Sequence, residues 1–122
     1  MEIYRTTITS IGPIAKEMLE AKMLIIFNNN APAELGEMCY LHTIDELKSD
    51  IKVGDQVHLG DTFYTVTAVG SVANQTMRTM GHCTLCFNGA EVTQIPGQIE
   101  LEAKGIEPNL SVGDEIRITR GE

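Results

Sequence analysis

The sequence predicts a mainly β protein, a small closed or partly open barrel or sandwich carrying two or three short helices. Two observations predict it. Eight short segments rich in β-branched and aromatic residues run through all 122 residues. Glycine-bearing turns separate them, and many short strands with such turns build sandwiches or closed barrels. Closure would also remove the sheet edges that a small all-β chain must otherwise protect.

In chain order, the strand signals are Ile3–Ile11, Met23–Phe27, Met38–Leu41, Gln56–Leu59, Phe63–Val69, Cys83–Phe87, Gln98–Ala103 and Glu115–Thr119. Gly60 sits where a tight hairpin between the fourth and fifth needs positive φ. Gly12-Pro13 opens a first helix, because proline tolerates the first helical turn. Ile14 with Met18, and Ala15 with Leu19, then share one face. Ser71 is placed to cap a second helix running to Met80, with Gly81 to end it. Thr43-Ile44-Asp45-Glu46 matches a capping box, so a third short helix is expected there. Ile51-Lys52-Val53-Gly54-Asp55-Gln56-Val57 echoes Leu110-Ser111-Val112-Gly113-Asp114-Glu115-Ile116. A recurring turn chemistry is the simpler reading of that echo, ahead of a duplicated half-domain.

The length suits one domain spanning 1–122, with its own hydrophobic core. There is no Trp and only three Phe and three Tyr, so a mostly aliphatic core with Met in its gaps is expected. The net charge of −8 and the scattered nine basic residues argue against nucleic acid as a partner. An acidic surface suits solubility, or docking to a basic patch. The N-terminus lacks the pattern of a signal peptide, and the longest apolar run, Met23 to Phe27, is too short to enter a membrane as a span. Three cysteines, an odd number, fit reduced thiols in the cytoplasm.

Three histidines could carry chemistry. His58 lies between Val57 and Leu59, and strand alternation turns it to solvent if they face the core. His42 ends a strand and precedes the Thr43 capping box. Free N–H groups of a first helical turn would favour a bound phosphate there, and would keep the imidazole neutral. Asp45 and Glu46 oppose that reading. On local sequence alone, a histidine at such a junction serves structure more often than catalysis. His82 opens a strand and could hydrogen-bond a phosphoryl group on another histidine, or be a satisfied edge residue. Cys39-x-x-His42 and Cys83-x-x-Cys86 have zinc-like spacing, but a strand sends residues three apart to opposite faces. The same geometry disfavours a redox pair. No Walker-type phosphate loop and no Ser or Cys triad is visible.

A longer pattern then emerges. Ile3-Tyr4-x-Thr6-Thr7-Ile8-Thr9-x-Ile11-Gly12, Met23-Leu24-Ile25-x-Phe27, Ala31-Pro32-Ala33-x-Leu35 and Cys39-x-x-His42 occur in order. Glu46-Leu47-Lys48, Val66–Ala73 and Gly81-His82-x-Thr84-Leu85-x-Phe87-x-Gly89 follow. Together they resemble the glucitol/sorbitol-specific enzyme IIA proteins of the bacterial sugar phosphotransferase system. The resemblance runs to about Pro96-Gly97, and Val66–Ala73 and Gly81–Gly89 are its most specific parts. It implies a cytoplasmic phosphotransferase that accepts a phosphoryl group from HPr on a histidine and passes it to the IIB domain of a sugar permease. The phosphorylated histidine would be His42, with His82 in the Gly-His-x-Thr-Leu segment as a supporting donor. Ile44 stands where some relatives carry a second histidine. On this reading Thr43 would help hold the phosphate, no cofactor is needed, and the site should be exposed, with Tyr40, Leu41 and Ile44 beside it as a docking surface. Self-association as a homodimer is left open. The competing readings are a small-barrel binding module without catalysis and a zinc protein.

Overall fold

A computed structural model describes residues 1–121. Its strands are β1 (Glu2–Ile11), β2 (Met23–Asn28), β3 (Cys39–His42), β4 (Gln56–Leu59), β5 (Thr62–Val69), β6 (Cys83–Cys86), β7 (Gln98–Leu101) and β8 (Glu115–Thr119). Its helices are α1 (Ala15–Glu20), α2 (Ala33–Gly36) and α3 (Ala73–Met80). The strands close one barrel in the order β1-β3-β2-β6-β7-β5-β4-β8. The mainly β barrel expected from the sequence is therefore the fold, with all eight strands in place.

Two local expectations fail. Residues 43–48 form no helix, despite the capping-box sequence. Thr43 is taken by β1 instead: its N–H donates to the Thr7 carbonyl at 2.9 Å, and its hydroxyl accepts the Thr7 N–H at 3.0 Å. An extended pairing with a neighbouring strand outcompetes a local cap. The helix-capping role given to Ser71 is also absent; α3 begins after Val72 with no side-chain cap. The third short helix is α2, which has no side-chain cap and no buried residue.

The echo between residues 51–57 and 110–116 is more than a recurring turn. The barrel consists of two β-α-β-β-β units, β1-α1-β2-β3-β4 and β5-α3-β6-β7-β8, with α2 an addition to the first. Their pairings interchange. β1 with β3 matches β5 with β7, and both are antiparallel with a register shift at equivalent places, Ile8/Ser10 and Val66/Ala68. β2 with β3 matches β6 with β7, both parallel. β1 with β8 matches β5 with β4. β2 pairs with its own counterpart β6, and β4 with β8, as an approximate twofold axis requires. Loop hydrogen bonds repeat as well. Gly12 N–H reaches Cys39 O and Gly70 N–H reaches Gln98 O; Ile14 N–H reaches Glu37 O and Val72 N–H reaches Pro96 O. Asp55 and Asp114 each accept the N–H three residues earlier at 2.8 Å, after glycines that both have φ of 97°. This overturns the preference for a coincidental turn.

Alternation along the strands fills the barrel. Val57, Leu59, Val66, Ile99, Leu101, Ile116 and Ile118 are buried in one core. All three tyrosines join it, at 0 or 1 % exposure, whereas Met77 is the one methionine in it. The core is thus aliphatic plus tyrosine, with less methionine than expected. Tyr64 satisfies its hydroxyl on the Ile106 carbonyl at 2.8 Å. The buried Tyr4 hydroxyl has no such partner.

Candidate functional site

His42 is the last residue of β3. Alternation places it inward, in line with Tyr40, and it is 0 % exposed. The expected open position is therefore a closed one. β1 lies on one side, with Ile8 opposite His42, and β2 on the other, with Asn28 beside it. The Tyr4 ring meets the imidazole edge-on at 6.2 Å. The joint between α3 and β6 completes the enclosure. There Gly81 takes φ of 58° to end α3, as its position in the sequence suggested.

The ring nitrogens each face a carbonyl: Nδ1 is 2.9 Å from Thr43 O, and Nε2 is 2.8 Å from Gly81 O. Burial lowers the pKa and outweighs the two carbonyls, which favour the charged ring. Burial therefore favours the neutral ring, and no helix start lies beside it to do so. A neutral imidazole carries one N–H. It can donate to one of these carbonyls, and the other nitrogen turns its lone pair on an oxygen. For a neutral ring that second contact is repulsive.

His82 follows Gly81 directly, yet its ring does not join His42. It is half-buried, 3.0 Å from the Ile26 carbonyl through Nδ1, and it lies against Phe27 at 4.6 Å. Phe27 belongs to a second apolar cluster with Ile25 and Cys39, separate from the core that holds Tyr4. His58 is half-buried and reaches Thr119 Oγ1 at 2.9 Å. Tyr40 is core and Leu41 half-buried, so of the three docking candidates only Ile44 is exposed, at 60 %.

The zinc-like spacings do not converge. Cys39 sits in the second cluster, Cys83 in the main core, and His42 points inward. Among the described residues no group of three or more His, Cys, Asp or Glu is arranged to hold a metal ion. Burial pushes the Cys39 and Cys86 thiols up to about 11, and raises Cys83 as well, so all three stay protonated near neutrality.

Comparison with known proteins settles the family. Residues 3–117 match the family described as PTS system glucitol/sorbitol-specific IIA component. The chain belongs to that family. The glucitol/sorbitol-specific EIIA components of Shigella flexneri and Escherichia coli K12 are each 46 % identical to it over 99 residues, covering 81 % of this chain and 80 % of theirs. The crystal structure of a PTS system IIA component from Enterococcus faecalis V583 superposes with a TM-score of 0.81 at 30 % identity, over 93 % of this chain and 97 % of that one. Membership of the IIA family makes the chain a component of a sugar phosphotransferase system. Among the described residues no helix is long and apolar enough to cross a membrane.

One polar residue beside His42 escaped the sequence reading. Asn28, at 6 % exposure, shares its register and its face. Nothing in the local motif singles it out; only the parallel pairing of β2 with β3 does.

Proposed function

We propose that this IIA component is a cytoplasmic phosphocarrier that accepts a phosphoryl group from phospho-HPr on His42 and donates it to the IIB domain of a glucitol/sorbitol permease. The observation that carries the reading is the His42 cage: a buried, neutral imidazole whose two nitrogens face two carbonyls while only one can donate. When the cage opens, the nitrogen lacking a proton attacks phosphorus in line. Its N–P bond forms as the N–P bond of phospho-HPr breaks. The other nitrogen keeps its N–H on a carbonyl, which fixes the ring during transfer. The Thr43 hydroxyl accepts from Thr7 and still has its own proton to give to a phosphoryl oxygen. The sequence-derived role of His82 as a direct donor would require its ring to leave Phe27; in the closed form it serves to hold the backbone next to Gly81.

Incubation with phosphoenolpyruvate, enzyme I and HPr tests this reading. One acid-labile phosphoryl group per chain is expected. A chain that takes up none would be a binding module.

A further inference from the structure

The twofold relation between the two units shows what is special about the His42 side of the barrel. The position equivalent to His42 is Leu101, and the position equivalent to Asn28 is Phe87, both buried. The position equivalent to Gly81 is Lys22, which ends α1 with φ of 64° much as Gly81 ends α3 with φ of 58°. The Lys22 carbonyl accepts the Phe87 N–H at 3.2 Å, whereas the Gly81 carbonyl faces His42 Nε2. The fold thus accommodates a side chain at this left-handed cap. It cannot at Gly81, where a Cβ would collide with the Asn28 amide and come within 2.8 Å of His42 Cε1. Three positions differ together, and the absence of a side chain at Gly81 leaves the Asn28 amide and the His42 ring as neighbours of the same small space.

The oxygen of that carboxamide is unsatisfied. Asn28 Oδ1 is buried without a hydrogen-bond partner. Such a group costs about 1–3 kcal/mol, and its persistence calls for a role. Its oxygen and nitrogen exchange places by a half-turn of the amide.

We propose that Asn28 is a catalytic residue of phosphoryl transfer: its amide turns to present N–H donors to the phosphoryl group carried by His42. The proposal rests on His42 being the carrier. No bond to Asn28 forms or breaks; the phosphoryl group passes from the donor's nitrogen to His42 while the amide donates hydrogen bonds to its oxygens. A neutral donor suits a carrier that must also release its cargo, because it stabilises the anion without the full Coulombic hold of a lysine or arginine.

Single-turnover acceptance from phospho-HPr, measured for Asn28→Asp, Asn28→Ser and wild type alongside thermal melting, tests this. Asn28→Asp replaces the donor by a like charge at constant shape, and acceptance should slow by about 10²–10³-fold, the usual loss for one such donor. Asn28→Ser should slow it about 10-fold or more, since a shorter hydroxyl reaches less well. The ratio of Asn28→Asp to wild-type rate should rise as pH falls from 8 towards 5, as the carboxyl regains a proton to donate. Wild-type rates in both variants, or a ratio flat with pH, would overturn the proposal while leaving His42 as carrier. A phosphoryl group found elsewhere than His42 would overturn the carrier reading itself.

Discussion

Gly81→Ala is expected to cost about 2–5 kcal/mol of folding stability and to slow phosphoryl acceptance sharply. Left-handed backbone costs a residue with a Cβ about 1–2 kcal/mol. The new methyl also enters space held by the Asn28 amide and the His42 ring, and overpacking of that kind costs about 1–3 kcal/mol. Either the amide or the imidazole must move, and the contact between Nε2 and the Gly81 carbonyl moves with it. Lys22→Gly is the control in the same molecule. It removes the strain at the equivalent cap and leaves open space, so it should be neutral or stabilising by up to about 1 kcal/mol. Thermal denaturation of both variants separates a general dislike of substitution at helix ends from a specific conflict at His42.

Asp55→Ala should be as damaging to stability with no direct bearing on the histidine. Asp55 is 2 % exposed. Its carboxylate takes Arg120 Nε at 2.8 Å and Nη2 at 2.9 Å, and the Lys52 N–H at 2.8 Å. Arg120 also donates to Ser49 Oγ and the Asp50 carbonyl, so the pair ties the 49–55 loop to the end of β8. Removing the carboxylate breaks the arginine bonds and strands the Lys52 N–H, although Arg120 keeps access to water; a charge-assisted bond of this kind is worth about 1.5–3 kcal/mol. The twofold counterpart supplies the contrast. Asp114 makes the same backbone bond to Ser111, but no arginine bond to it occurs among the described residues. Asp114→Ala should therefore cost only about 1 kcal/mol, the scale of a lost capping bond. Urea denaturation of the two variants would measure the difference.

Both buried groups give the stability a pH dependence of the same sign. Burial alone would raise the Asp55 pKa, but the hydrogen bonds and charge of Arg120, with the Lys52 N–H, bring it below the ordinary value. Its contribution is full above the unfolded carboxylate pKa of about 3.9 and is lost as pH falls below that. The His42 pKa is lowered by burial. Its contribution is full above about pH 6.5 and is lost as pH falls through the range below. Acidification should destabilise in two stages. The upper stage should shrink in His42→Leu, which fills the site as Leu101 fills its counterpart, and the remainder should come from His58, whose pKa burial and then Arg117 also lower.

The strands were readable because burial on one face writes a period of two into the sequence, and Gly60 and Gly81 mark turns that only positive φ allows. The capping box at Thr43 misled because the cue is local, while the competing partner, Thr7, is distant in sequence and adjacent in space. The duplication left traces: Thr7-Ile8-Thr9 against Thr65-Val66-Thr67, and Ile11-Gly12-x-Ile14-Ala15 against Val69-Gly70-x-Val72-Ala73. They lie away from the glycine-aspartate turns, where the echo is plainest, and each is only a few residues long. His42 stood out through the family pattern. Its burial did not, because the inward face of β3 is decided by closure of the barrel around it. Asn28 was invisible for a similar reason: an asparagine at a strand end looks like a turn residue until the register of β2 with β3 sets it beside the histidine.

The most direct measurement is the location of the phosphoryl group after charging with phosphoenolpyruvate, enzyme I and HPr, by mass mapping under alkaline conditions, in wild type and in His42→Leu. The account predicts one phosphoryl group on His42 in wild type and none in His42→Leu, with the variant melting as a cooperative fold. Label on His58 or His82, or label retained by His42→Leu, would contradict it.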